Sequence, residues 1–111
     1  MQAQSTDLAT LMRTLADPTR RAVYERIVDR GEATVIELTR AGTVSQPAVS
    51  QHLKALRTAG LVSERRDGRN VRYRAEPRGL DPLVDWLGIY GLFWRERFSN
   101  LKTLLQEIDP K

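Results

Sequence analysis

The sequence predicts a mostly α-helical fold with one small β-hairpin. Apolar residues recur at helical spacing over most of the 111 positions, and capping residues followed by proline or a glutamate restart that period several times. Once, after Gly60, the period changes from helical to twofold on either side of Asp67-Gly68. The expected order is helix, helix, short helix, tight turn, helix, hairpin and long helix, in a single domain over residues 1–111.

Leu8, Leu11, Met12 and Leu15 share one stripe and define a first helix that ends near Ala16. Asp17-Pro18 then places a carboxylate acceptor ahead of a proline whose missing N–H costs nothing in the first turn, so a second helix starts here. It runs to about Arg30, with Val23, Ile27 and Val28 inward and Gly31 as its stop. Thr34 and Glu37 form a capping box for a short third helix closed by Gly42. Ser45 caps a fourth helix, Pro47 is tolerated in its first turn, and Gly60 ends it. Leu61–Arg65 and Asn70–Ala75 flank Arg66-Asp67-Gly68-Arg69, a hairpin signal in which Asp and Gly tolerate positive φ. In its second strand Val71 and Tyr73 point one way and Asn70, Arg72 and Arg74 the other, giving a basic outer face. Asp81-Pro82 repeats the start signal for a last helix through Ile108, about 26 residues and roughly 40 Å long. A domain of this size cannot cover that length alone. Trp86, Phe93 and Leu104 widen its apolar stripe, which points to burial against a second copy.

The formal net charge of +4 is concentrated in one place. Residues 1–44 carry six Arg against six acids, and residues 76–111 carry five basic against six acidic groups. Residues 45–75 carry seven basic groups against Glu64 and Asp67, a local net charge of +5. Such a field attracts polyanions and supplies the sequence-independent part of nucleic-acid affinity. Without cysteine, disulfides and thiolate metal sites are excluded. No apolar run approaches the roughly 20 residues of a membrane span, and MQAQSTDLAT lacks the basic start and apolar stretch of a signal peptide, so a cytoplasmic protein with no membrane partner is expected. A cysteine nucleophile and a glycine-rich phosphate loop are both missing, and the sole histidine, His52, lies in the fourth helix, so an enzyme is not expected.

The fourth helix raises the functional question. Val49, Leu53 and Leu56 occupy one stripe, while Gln46, Ser50, Gln51 and Lys54 stand on the other face without an acid among them. A helix, a tight turn, a second helix and a basic hairpin together make a winged helix-turn-helix, with the helix-turn-helix at 35–60 and the wing at 61–75. In such a unit the second helix enters the major groove of double-stranded DNA, where donors and acceptors read base edges. Gln46, Ser50 and Gln51 are assigned to bases. Ser45 and Lys54 are assigned to phosphates or the groove edge and Arg66 and Arg69 of the wing to flanking backbone or minor groove, with Pro47, Arg65 and Arg72 completing the expected DNA-binding set.

SQPAVSQHLKALRTAGLV followed by a basic hairpin, with LADPTRRAVYERI before it, resembles the ArsR (arsenical-resistance repressor) family of bacterial winged-helix regulators, and the likeness covers most of residues 8–75. The resemblance implies a homodimer joined by its first and last helices, 8–16 and 82–108, with Leu8, Leu11, Met12 and Leu15 and Tyr90, Trp94, Phe98, Leu101 and Leu105 at the interface. It also implies repression of transcription from a pseudo-palindromic operator. Many members sense metals through cysteine pairs or histidine and carboxylate clusters. This sequence has no such ligands, so no metal and no cofactor are expected, and GLDPLVDWLGIYGLFWRERFSNL is similar to a subgroup without recognised metal ligands.

Alternatives stand beside this reading. The winged helix could dock an acidic protein, or the last helices could enclose a small-molecule effector among Tyr90, Phe93, Trp94 and Phe98. The hairpin arginines could be a solvated edge that discourages aggregation. His52 borders the buried stripe and reads as a packed, hydrogen-bonded side chain rather than a DNA contact. Gly88 and Gly91 weaken the last helix by up to roughly 1 kcal/mol each, pointing to a close helix approach or a kink.

Overall fold

The computed structural model describes residues 7–108. They form α1 (Leu8–Ala16), α2 (Pro18–Arg30), β1 (Glu32–Ala33), α3 (Val35–Ala41), α4 (Gln46–Thr58), β2 (Val62–Asp67), β3 (Asn70–Ala75) and α5 (Asp81–Ile108). The chain divides into two compact units, one up to Leu80 and the other beginning at Asp81 with α5.

The capping signals act where the sequence places them. Asp7 caps α1, its carboxylate accepting from the Thr10 N–H at 2.8 Å. The Asp17 carboxylate accepts from the Thr19 and Arg20 N–H groups at 2.9 and 3.0 Å, with Pro18 in the first turn of α2. Thr34 and Glu37 close the capping box in both directions, at 3.2 and 2.9 Å. Ser45 Oγ accepts from the Ala48 N–H at 3.3 Å to open α4. These bonds satisfy amides that have no partner within their helix. Gly31 and Gly60 take φ of +85° and +77° at the ends of α2 and α4, the left-handed conformation that lets the chain turn away.

Residues from four helices and one end of the sheet meet in a single core. Leu11, Val23, Ile27, Leu38, Val49, Leu53, Leu56, Leu61 and Val62 are buried, with Ala33 beneath them. Val28 departs from expectation. It is 49% exposed, because the face of α2 that packs on its neighbours centres on Val23 and Ile27, and Val28 lies one step of about 100° beyond Ile27.

The hairpin is part of a three-stranded antiparallel sheet in the order β1-β3-β2. The third strand, β1, is the two-residue segment Glu32–Ala33, paired with Arg74 and Tyr73. Strand β2 is longer than expected and ends in the pair Asp67 and Asn70, so the loop is Gly68-Arg69 alone. Only Gly68 has positive φ, at +61°. That is the pattern of a loop with glycine at its first central position rather than of an Asp-Gly turn with both residues left-handed.

The second unit is α5, 28 residues of continuous helix and about 42 Å long. None of its residues is buried, and Trp94, Phe98 and Leu105 are 51%, 64% and 55% exposed. Among the described residues no helix is long and apolar enough to cross a membrane.

Candidate nucleic-acid interface

Helix α4 is positioned by what it buries. Val49, Leu53 and Leu56 are 0 to 1% exposed, which fixes the rotation of the helix and turns Gln46, Pro47, Ser50, Gln51 and Lys54 to the exterior. Its thirteen residues contain no carboxylate. Nothing on the helix would repel a phosphate, and the amides of Gln46 and Gln51 offer the paired donor and acceptor that adenine presents in complement. Ser45 is committed through Oγ to its cap, and it stands exposed beside Gln46 at the leading end.

His52 lies half-buried between the two faces. Its Nδ1 accepts a hydrogen bond from Nε of Arg20 at 3.3 Å, which ties α4 to the first turn of α2. The expected packed histidine is therefore present with an identified donor. Arg20 gave no signal of this role, since 32 residues separate the partners. On the opposite flank Arg57 pairs with Glu64 of β2, and Glu64 also accepts from the Tyr73 hydroxyl at 3.1 Å. Burial, followed by that carboxylate, pushes the Tyr73 hydroxyl above the ordinary tyrosine pKa.

The wing is less uniformly basic than its composition. Strand register puts Glu32, Ser63, Arg65, Asp67, Asn70, Arg72 and Arg74 on one face and Ala33, Val62, Glu64, Arg66, Val71, Tyr73 and Ala75 on the other. On the first face Arg65 makes two hydrogen bonds to Glu32, at 2.9 and 2.6 Å, and Arg72 donates to Asp67 at 3.0 Å. The expected basic outer face is thus in large part an ion-paired ladder. The Arg65 hydrogen bonds hold the Glu32 carboxyl below the usual glutamate range and raise the Arg65 pKa in turn. Arg66 and Arg69, by contrast, are exposed and form no ion pair among the described residues.

The residues expected at a dimer interface fall in two places. In α1, Leu8 and Leu15 are half-buried and Met12 is 42% exposed, whereas Leu11 is fully buried in its own chain's core and presents no surface to a partner. On α5 Trp94 meets Phe93 edge to face and Phe98 at a tilt, with ring centroids 5.2 and 6.1 Å away, and the Trp86 and Tyr90 ring centroids are 5.1 Å apart. Arg97 sits over the Phe93 ring at 3.7 Å. Tyr90, Leu101 and Leu105 are 46 to 55% exposed, and a Cβ added at Gly88 or Gly91 would meet nothing within 4 Å. Among the described residues no group of three or more His, Cys, Asp or Glu side chains could hold a metal ion.

With this geometry in place the comparisons with known proteins are informative. Residues 17–64 match the family model described as "Bacterial regulatory protein, arsR family". The chain is 51% identical over 91 residues to the HTH-type transcriptional regulator Rv2034 of Mycobacterium tuberculosis, covering 82% of this chain and 81% of the relative. Its fold is similar to an ArsR-like transcriptional regulator from Rhodococcus sp. RHA1, with TM-score 0.69 and 31% identity, covering 87% of this chain and 91% of that one. A homodimeric winged helix-turn-helix DNA-binding domain from Mycobacterium bovis is also similar, with TM-score 0.61 and 25% identity, covering 76% and 77% of the two chains. The matched segment runs from the α2 cap through α4, the helix without a carboxylate, into β2, and the proteins it matches are regulators rather than enzymes. The chain belongs to the ArsR family of bacterial transcriptional regulators.

Proposed function

We propose that the protein is a homodimeric, sequence-specific DNA-binding repressor that works in the cytoplasm without a metal. The observation that carries this reading is α4: three buried apolar residues hold its acid-free polar face outward. In the complex, Gln46, Ser50 and Gln51 read base edges, while Ser45, Pro47 and Lys54 follow the groove edge. Arg66 and Arg69, which form no ion pair among the described residues, meet the flanking backbone or minor groove, and Arg65 and Arg72 add to the field with their charges largely balanced by Glu32 and Asp67.

The second copy is called for by α5. A helix about 42 Å long that buries none of its apolar residues is an unfinished interface, and open space at Gly88 and Gly91 would admit the backbone of another helix. The similar Mycobacterium bovis domain is described as homodimeric. Pairing through α5, with Leu8, Met12 and Leu15 of α1, presents two reading helices to successive major grooves about 34 Å apart, and the bound dimer keeps polymerase off the promoter.

A gel-shift with the DNA upstream of the protein's own gene tests the reading. A band that survives moderate salt on that duplex and is lost on its scramble supports it, whereas equal binding to both overturns it. Zinc, nickel and arsenite are expected to leave the melting temperature unchanged, and a shift of several degrees with any of them would overturn the metal-free part.

A further inference from the structure

A groove of about 460 Å³ runs between α1 and the second half of α4, lined by Thr10, Thr14, Gln51, Lys54, Ala55 and Thr58, with Ala59 at its end. Its size is within the range of small-molecule sites, about 300 to 1,000 Å³. Its walls are mostly apolar, broken by hydroxyls, one amide and one ammonium group. Neither α1 nor α4 contains a carboxylate, and Lys54 forms no ion pair among the described residues. None of the residues that line the groove is acidic, the Asp7 carboxylate nearby is held by the Thr10 N–H in the α1 cap, and an anion in the groove finds Lys54.

The groove also lies away from the part of the proposed dimer surface that α1 contributes. At about 100° per residue, Thr10 and Thr14 stand roughly 140° around α1 from Leu8, Met12 and Leu15. A partner seated on those three residues leaves the groove open. The Thr14 hydroxyl is turned back onto the Thr10 carbonyl at 2.7 Å, which keeps the α1 wall smooth and leaves polar recognition to α4.

We propose that this groove is an effector site for a small apolar carboxylate, whose ring or chain lies on Ala55 and Ala59 and whose carboxylate is bound by Lys54 and Gln51. The proposal rests on the DNA-binding reading, because those two side chains are also assigned to the operator. A bound carboxylate takes the Lys54 charge and the Gln51 amide away from DNA, so effector and operator compete for the same atoms without any change of fold.

The probe is 1-naphthoate, with 1-naphthalenemethanol as its neutral counterpart. Amide NMR shifts on the full, DNA-free protein read binding, and anisotropy of a labelled operator duplex reads competition. Naphthoate is expected to shift the amides of Thr10, Thr14, Ala55 and Thr58 and to weaken operator binding in proportion to its occupancy. Lys54→Gln is expected to lower naphthoate affinity about three- to tenfold and leave the alcohol's unchanged. Ala55→Leu fills the groove and is expected to abolish the naphthoate effect on a duplex it still binds. Shifts confined to the α5 aromatics, or groove binding that leaves duplex affinity untouched, would overturn the proposal. Because the NMR arm contains no DNA, an operator that fails to bind even without naphthoate would fault the DNA-binding reading and be recognisable as such.

Discussion

Arg65 on β2 reaches past the intervening strand β3 to grip Glu32 on β1, with Nε at 2.9 Å and Nη2 at 2.6 Å from the two carboxylate oxygens. The pair ties the edge strand to the wing and balances one positive charge on the surface proposed to face DNA. Glu32→Gln is therefore expected to tighten binding to random DNA and to steepen its salt dependence by a fraction of one phosphate contact. Arg69→Ala, at the unpaired tip, weakens operator and random DNA alike and lowers the salt slope by about one. Filter binding across a salt series measures both, and equal slopes for Arg65→Ala and Arg69→Ala would refute the distinction.

Base reading is assigned to a different element. Gln51→Ala is expected to cost about 1 to 3 kcal/mol of discrimination at one base-pair position while leaving affinity for random DNA nearly unchanged. Competition of operator against single-position variants reads this directly, and a uniform loss on every duplex would move Gln51 from reading to mere attachment.

Three helix caps are expected to contribute to acid destabilisation, alongside the Glu32 carboxylate held by Arg65. The Arg20 N–H holds the Asp17 carboxyl below its ordinary 3.8, the Thr34 N–H holds Glu37 below 4.5, and the Thr10 N–H holds Asp7 below 3.8. Folded pKa values below the unfolded ones mean that the stabilisation is fully present above about pH 4.5 and is lost as pH falls through the depressed values. Asp17→Asn should flatten urea midpoints measured between pH 5 and pH 2, and an unchanged pH profile would contradict its role. Thr34→Ala, which opens the capping box of α3, should cost about 1 kcal/mol at neutral pH.

Much of the fold was legible in the sequence because helix starts are local. Asp17-Pro18, Thr34 with Glu37, and Ser45 with Pro47 act within four residues of themselves, and the structure starts three helices there. The features missed depend on distant partners. Strand β1 is two residues long and exists only through pairing with residues about 40 positions later. The ties of Arg65 to Glu32 and of Arg20 to His52 span 33 and 32 residues, so a count of charges saw a basic face where the fold builds an ion-paired ladder. Val28 and Leu11 show a related limit. Helical spacing identifies an apolar stripe, and only packing shows which members are swallowed by the chain's own core and which are left at the surface.

The exposed aromatic face of α5 carries the assembly prediction. Trp94→Glu places a charge among Phe93 and Phe98 and should raise the dimer dissociation constant by about thirtyfold or more, the effect of losing roughly 2 kcal/mol at an interface centre. Sedimentation velocity over a concentration series measures it. A wild-type protein that stays monomeric throughout would leave α5 without the partner assigned to it.

The most direct test of the whole account is a methylation-interference footprint on a duplex selected from random sequence by the wild-type protein. Two related patches of interference by guanine N7 methylation in the major groove, centred about 10 base pairs apart, are the predicted result, with Gln51→Ala losing the preference at one position within each. A single patch, or interference spread evenly along the duplex, would contradict a paired chain that reads DNA through α4.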